Sequence, residues 1–529
     1  MRRTFSVLLL LVATTLRADV REILASRVAK RPGIAVVAGT IDANGRKVVA
    51  EGAADGDTLF EIGSATKVFT ALLLAEAVQR GEVKLDDPVA KFLPASVKVP
   101  ERNGRRITLQ DLATHTSGLP RLPSNLLPKD ESNPYADYTV AQMYEFLSSY
   151  ELPRDAGAQY EYSNLAVGLL GHALALRAKT DYATLVRTRI LEPLGMKDTF
   201  ITIPAAAKAR LAQGHDGEGK PAANWDLPTL AGAGALRSTV NDMLIFLSAF
   251  LGHTKTPLAP AMASMLASRR PTTMTAQEIA LGWHVEKRGE RELVWHDGGT
   301  GGYRSYLGLD PKARTGVVVL TNISTPAGVD DIGHHLLDAT SPLLAEQKPA
   351  TVDPKIYDRF VGRYALAPEF LITITREGNQ LFAQATGQPR FEIFPKSERE
   401  YFFKVVDARI TFADDALTLH QGGRDMRAPR VTGELPSRKE IAVDAALLEK
   451  YVGRYQLAPA FIIAITKEGN ALFAQATGQP KFPLFAESER KFFLKVVDAQ
   501  LTFEVDGTGR ATGVVLHQGG MDQKAKRIE

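Results

Sequence analysis

Apolar and polar positions fall into two regimes along the chain. From about Asp19 to Ala339, strand-like runs bracket a long helical stretch. Ala35 to Thr40 and Lys47 to Ala50 are strand-length runs joined by the turn residues Asp42-Ala43-Asn44-Gly45. Val317 to Thr321 is a continuous apolar run of the kind that becomes a buried strand, and Tyr303 to Leu309 alternates as a strand does. Helical periodicity clusters between Ser64 and Phe250, most clearly over Val68 to Ala77 and Leu165 to Leu176. Strands from both ends with helices between predict one sheet built from the two termini of the domain. A helical region packs on it, and the functional site lies at their junction.

Beyond a linker running from Thr340-Ser341-Pro342 to Asp353-Pro354 the pattern changes to short strands, and it repeats. Tyr357 to Pro368, with Val361-Gly362-Arg363-Tyr364 at its centre, matches Leu448 to Pro459, with Val452-Gly453-Arg454-Tyr455, at an offset of 91 residues. Leu381 to Pro389 recurs at the same offset as Leu472 to Pro480. Leu419-His420-Gln421-Gly422-Gly423 recurs as Leu516-His517-Gln518-Gly519-Gly520 at an offset of 97, so the second copy carries six extra residues around Asp506-Gly507-Thr508-Gly509. Each copy is a short helical lead-in followed by several strands with Glu-Gly-Asn turns. Many strands in about 85 residues predict a small antiparallel barrel. The organisation expected is a leader at residues 1–18, an α/β (α+β) domain at 19–339, a linker at 340–354, and two β-barrels at 355–437 and 438–529. Phe382, Phe402, Phe403, Phe473 and Phe493 are expected in barrel cores rather than in a ligand cage. The barrels have two open roles: a structural one, restricting access or mediating self-association, or binding of an apolar ligand or cell-wall fragment.

Composition adds size and address. A chain of 529 residues with 45% hydrophobic content can bury a large core in more than one domain. Met1-Arg2-Arg3, an apolar run from Phe5 to Val12 and Ala13-Thr14-Thr15-Leu16-Arg17-Ala18 have the form of a secretory signal cut after Ala18. The apolar run is too short for a permanent span. With no cysteine there is neither a disulfide nor a lipid attachment site, so an exported protein must rely on packing. Removing Arg2, Arg3 and Arg17 takes the net charge from +4 to +1, which gives no reason to propose nucleic acid as a partner.

Candidate chemistry sits where the strand-like Leu59 to Gly63 runs into the first long helix, at Ser64-Ala65-Thr66-Lys67. Positions i and i+3 share a helix face, so the Lys67 amine can reach the Ser64 hydroxyl. A buried lysine can lose its charge and act as a base, and the helix N-terminus favours a developing anion. Alone, the four residues read more readily as a helix cap followed by a surface lysine. Tyr162-Ser163-Asn164 opens the second long helix: a Tyr there can shuttle a proton and an Asn can hold a substrate carbonyl, or Asn164 can simply cap the helix. Trp295-His296-Asp297-Gly298-Gly299-Thr300-Gly301-Gly302 lets a backbone approach a ligand closely, or makes a flexible turn with an incidental histidine. His115 in Thr114-His115-Thr116-Ser117-Gly118 is expected to be a hydrogen-bonded loop histidine. His334-His335 has no ligand-spaced carboxylates nearby, so no metal and no cofactor is expected. The phosphate loop Gly-x-x-x-x-Gly-Lys and the elbow Gly-x-Ser-x-Gly do not occur.

Taken together and in this order, Ser64-Ala65-Thr66-Lys67, Tyr162-Ser163-Asn164 and His296-Asp297-Gly298 resemble the motif set of one family: class C β-lactamases and D-alanyl-D-alanine carboxypeptidases, with family VIII esterases and D-aminopeptidases. Leu112 to Pro120, Leu191 to Met196 and Gly234 to Thr239 also look like the family, and the resemblance covers roughly residues 20 to 340. It implies a β-lactamase/transpeptidase-like catalytic domain. Ser64 would be the nucleophile, its proton carried by Lys67 with Tyr162; Asn164, His296 and Gly298 would contact substrate. The N–H groups of Ser64 and Gly299 would form the oxyanion hole. The reaction implied is hydrolysis of an amide or ester through an acyl-enzyme, outside the cytoplasm. Substrates implied are β-lactams, D-amino-acid peptides or esters. A receptor that is acylated without turnover is the alternative from another class. A histidine stands where the lactamases keep a fixed positive charge, which tilts the expectation toward a peptidase or esterase, with carboxylate capture weak or pH-dependent. The C-terminal repeats resemble lipocalin-like modules appended to some members.

Overall fold

The structure, a computed structural model, describes residues 20–528 except 30, 273, 275, 326–327, 345–348, 368–369, 387, 389, 405–407, 422–423, 432–439, 459–460, 478–480, 496–498 and 519–520. The leader expected at residues 1–18, part of the linker and the paired glycines ending the repeat motifs lie outside the described residues. The chain divides into two compact units, with the boundary between Glu346 and Gln347.

The first unit is built on one antiparallel sheet of eight strands: β1 (Val36–Asp42), β2 (Gly45–Glu51), β3 (Arg270–Pro271), β4 (Gln277–Ile279), β5 (His284–Arg288), β6 (Arg291–Gly299), β7 (Arg304–Asp310) and β8 (Thr315–Thr321). Their order is β2-β1-β8-β7-β6-β5-β4-β3, so the first strands of the chain pair with the last of the unit, Ala38 standing opposite Val319. β1 and β8 are nearly continuous apolar runs because helices cover both faces of the sheet. On one face, Val20 and Leu24 of a helix over residues 20–28 and Ile332 of Asp330–Leu337 pack against Val36, Val317 and Tyr306. On the other, the helix Val240–Phe250 lies so close that a Cβ on Gly39 would come within 2.5 Å of Val240.

Two further helices carry the site. α1 (Thr66–Gln79) is buried on every side from Thr66 to Ala77, which explains its lack of a polar face. α2 (Asn164–Arg177) packs beside it, and Gly171 and Gly232 meet where neither could carry a side chain comfortably: a Cβ on either would stand 3.1 Å from the Cα of the other. That approach sets the segment Ala231–Gly234 against α2, and the carbonyl of Gly232 also accepts from Thr70 Oγ1 of α1 at 2.7 Å. Among the described residues no helix is long and apolar enough to cross a membrane.

The second unit contains two closed antiparallel barrels of eight strands each, from Gly362–Ala367 to Arg424–Val431 and from Gly453–Ala458 to Met521–Arg527. Each has its lead-in, the turn Pro354–Arg359 and the helix Ala445–Glu449. The Glu-Gly-Asn turns hold Gly378 and Gly469 at φ +56° and +59°, a conformation that favours glycine. The six extra residues of the second copy extend the turn between Ala499–Val505 and Ala511–Gln518, where the Asp506 carboxylate accepts from the N–H groups of Thr508 and Arg510. The cores correspond: Tyr364 donates to the carbonyl of Phe360 as Tyr455 does to that of Tyr451, and Phe360 stacks on Phe412 as Tyr451 does on Phe503. The five phenylalanines expected in the cores divide. Phe403 packs against the core of the first barrel; Phe402 and Phe493 are buried but outside the core clusters, against Phe394 and Phe485, and Phe382 and Phe473 are half-buried beneath Arg390 and Lys481. Strand alternation explains this, since Leu381 and Ala383 face inward on either side of Phe382.

Candidate active site

Ser64 lies in the single turn Gly63–Ala65 that leads directly into α1, and it is half-buried at the head of the helix. Lys67, one turn on, has no solvent-exposed surface. Its Nζ lies 3.0 Å from Ser64 Oγ, 2.9 Å from Asn164 Oδ1 and 2.7 Å from the carbonyl oxygen of Ala233. Burial, reinforced by the charge of Arg121 and opposed by that of Asp297, holds the lysine pKa well below its usual value. In the neutral amine, two N–H bonds go to Asn164 and Ala233, leaving the lone pair for the Ser64 hydroxyl. This is the arrangement of a base and its nucleophile. The alternative of a capping serine and a surface lysine does not hold: Ala65 caps α1 without a side-chain hydrogen bond, and Lys67 is inside.

Tyr162 reaches the same point. Its ring centroid lies 4.9 Å from Lys67 Nζ, and its phenol hydrogen-bonds with Ser64. Burial, with the negative charge of Asp297, raises the phenol pKa far above its ordinary value, so Tyr162 holds its proton. The α2 cap is Ser163, whose hydroxyl accepts from Ala166 N–H at 2.9 Å, and this frees the Asn164 amide for the site. Asn164 accepts from Lys67 and donates to Tyr135 Oη at 3.3 Å.

β6 forms the opposite wall. Gly298 backs directly onto the Ser64 turn: a Cβ there would stand 2.0 Å from the carbonyl oxygen of Ile62 and 2.4 Å from Ser305 Oγ. Gly63, at φ +49°, faces the backbone of Gly299 as closely, with a Cβ falling 2.6 Å from its nitrogen. The main chains carrying the Ser64 and Gly299 N–H groups therefore stand side by side, as a two-donor oxyanion site requires. His296 is fully buried, its ring centroid 6.3 Å from that of Tyr162. Its Nδ1 is 2.6 Å from the carbonyl oxygen of Asp297, which puts the proton on Nδ1, and Nε2 has no partner among the described residues. Burial, then the neighbouring His284 and Lys67, push its pKa well below 6.5. The partial charge expected of this histidine near neutral pH is therefore disfavoured, because burial penalises the imidazolium.

Further residues support the site, the first of them His115, the loop histidine expected to be hydrogen-bonded. His115, at φ +56°, stacks on Tyr162 with centroids 4.4 Å apart, and its Nδ1 accepts from Ser163 N–H at 3.1 Å. It fixes the ring of Tyr162. Glu61 is buried two strand residues before the turn and accepts from Asn224 Nδ2, Trp225 N–H and Arg237 Nη2, tying the Ala233 segment to the approach to Ser64. Tyr135 and the Ala233 carbonyl lie in stretches whose pattern marks neither. Among the described residues no cluster of three His, Cys, Asp or Glu side chains is placed to hold a metal.

The family model described as Beta-lactamase matches residues 20–365, about two thirds of the chain and all of these groups. The chain belongs to this family. Among its relatives is the D-alanyl-D-alanine-carboxypeptidase/endopeptidase AmpH of Escherichia coli (strain K12), 33% identical over 284 residues, spanning 51% of this chain and 72% of that protein. Penicillin-binding protein 4* of Bacillus subtilis (strain 168) is 26% identical over 409 residues, 71% of this chain and 88% of its own length. A crystal structure of a beta-lactamase/D-alanine carboxypeptidase from Yersinia pestis is similar with a TM-score of 0.54 and 26% identity, covering 62% of this chain and 98% of that one. The fold is therefore that of a β-lactamase domain followed by two barrels. Residues 346–420 and 437–528 each match the model described as Domain of unknown function (DUF3471).

Proposed function

We propose that this protein is a serine hydrolase that cleaves an amide or ester bond through an acyl-enzyme on Ser64. The observation that carries the reading is the buried Lys67 amine hydrogen-bonded to Ser64 Oγ and deprived of a carboxylate partner. Ser64 Oγ attacks the substrate carbonyl and passes its proton to Lys67. The oxyanion is held by the N–H groups of Ser64 and Gly299, and Asn164 holds the acyl amide. Tyr162, protonated and in contact with both Ser64 and Lys67, returns the proton to the leaving group. Water then releases the acyl group by the reverse route. Neutral His296 accepts a hydrogen bond through Nε2 and contributes no charge. The family and the name of AmpH support D-amino-acid peptides and β-lactams as the substrate class, and the leader-like residues 1–18 support export to the periplasm or beyond.

Time-resolved intact-mass spectrometry with benzylpenicillin, alongside turnover of 4-nitrophenyl acetate, tests the proposal. A Ser64-dependent adduct or product is expected. Ser64→Ala and Lys67→Met should each lower kcat by about 10²–10⁴-fold or more while circular dichroism stays unchanged. Full turnover in Ser64→Ala would sink the reading. An adduct that never hydrolyses, with no turnover of the ester, would favour the penicillin-binding receptor.

A further inference from the structure

With His296 neutral, the wall formed by β6 offers no cation to a substrate carboxylate. We infer that Arg121 is the anion-binding residue of this site and that the preferred substrate bears a carboxylate on its leaving group, an inference that rests on the acyl-transfer reading above.

Arg121 is fixed to the site through its main chain. Its carbonyl oxygen accepts the N–H groups of Asn164 at 3.0 Å and Leu165 at 3.3 Å, the first two of α2, so it cannot move independently of Tyr162-Ser163-Asn164. Its guanidinium carbon stands 5.0 Å from the centroid of the Tyr162 ring. The side chain is exposed and makes no ion pair or side-chain hydrogen bond among the described residues. Other arginines of the same unit are engaged: Arg189 with Glu76 and Glu82, Arg237 with Glu61 and Asp226, Arg269 with Glu278 and Glu292. An exposed, unpaired guanidinium held over the proton donor is a charge available to a ligand.

Tyr162 protonates the leaving group, so an anion at Arg121 belongs to the leaving-group side of the scissile bond. A guanidinium presents paired N–H donors that match the two oxygens of a carboxylate, and it stays charged at every working pH. Recognition through Arg121 is thereby independent of the titration that makes a histidine anchor weak. The same charge opposes protonation of Lys67, so one residue serves both recognition and the state of the base. Asp297 is the opposing charge in the site, acting on Lys67, Tyr160 and Tyr162. It is the residue that would favour an amine-bearing substrate instead.

The test uses matched esters of phenylacetylglycine, one with 3-hydroxybenzoate and one with phenol as leaving group, and a third with 3-(aminomethyl)phenol. For the wild-type protein kcat/KM should be highest with the carboxylate ester. In Arg121→Gln the ratio of carboxylate to phenol ester should fall about tenfold or more, through KM, and Arg121→Lys should restore part of it. Added salt should lower the ratio for the wild-type protein and leave the variant's ratio flat. An unchanged ratio in Arg121→Gln, or a preference of the wild-type protein for the amine ester, overturns the inference. Calorimetric binding of the carboxylate ester to Ser64→Ala, with and without Arg121→Gln, reads the site without turnover. Weaker binding in the double variant upholds the inference even if Ser64→Ala still hydrolyses, an outcome that would sink the acyl-enzyme reading alone.

Discussion

Lys67 concentrates the electrostatics of the site. A lysine with no exposed surface and no carboxylate partner is held by three oxygen atoms, one of them the nucleophile. Loss of its proton gives up no contact ion pair and removes a desolvation penalty, the largest influence on its pKa. The charges around it oppose one another, Arg121 lowering its pKa and Asp297 raising it. Replacing Asp297 with Asn removes the raising influence, so Lys67 stays neutral to lower pH. The acid limb of kcat/KM should then move toward lower pH, which a pH-rate profile with a neutral ester checks; a limb that moves to higher pH or stays in place contradicts this role for Lys67. The Ser64–Lys67 pairing was legible in sequence because i and i+3 are neighbours on any helix. The depth of Lys67 was not, since it depends on Asn164 and Ala233, which reach it from distant segments.

At the scale of elements, the decisive contact is between β6 and the turn before α1. Gly298 backs onto main-chain atoms of Ile62 and Ala65, which cannot yield, whereas a Cβ on Gly299 would meet the far end of the flexible Arg304 side chain. Gly298→Ala should therefore cost about 1–3 kcal/mol, by the overpacking it forces, and lower the melting temperature clearly. Gly299→Ala should lower it much less and act chiefly on turnover. Thermal denaturation of the two variants beside kinetics checks the difference, and equal losses of stability would contradict it. The Gly-rich segment was legible as a close-approach site, but only packing distinguishes the glycine that cannot change from the one that can. The cap of α2 teaches the same lesson: Ser163 and Asn164 are both good capping residues, and only the direction of the chain arriving from Tyr162 selects Ser163.

At the scale of the molecule, the unit carrying Ser64 and the barrels bury separate cores, and each barrel fills its interior with its own aromatic cluster. Phe360, Tyr401 and Phe412 pack edge and face in the first barrel, as Tyr451, Phe492 and Phe503 do in the second. Interiors so filled favour the structural role for the barrels over an apolar ligand site inside them. Separate cores predict separate cooperative transitions. Calorimetry should resolve more than one, and a ligand that acylates Ser64 should raise only the transition of the unit that carries it. A single transition shifted as a whole would show that the cores are energetically coupled.

What the sequence by itself determined is what local chain geometry enforces: the reach of Lys67 to Ser64, the helix opened by Tyr162-Ser163-Asn164, the sheet built from both ends of the unit, and the 91-residue repeat that becomes two barrels. These follow from periodicity and turn chemistry, which act over a few residues. Tertiary structure alone decided the ionisation of the site. It buried Lys67 and His296, which lowers the pKa of each well below its usual value, set His115 against Tyr162 and left Arg121 exposed and unpaired beside that ring. Protonation states depend on the solvent and charges that surround a group in space, and those neighbours come from segments the chain separates by scores of residues.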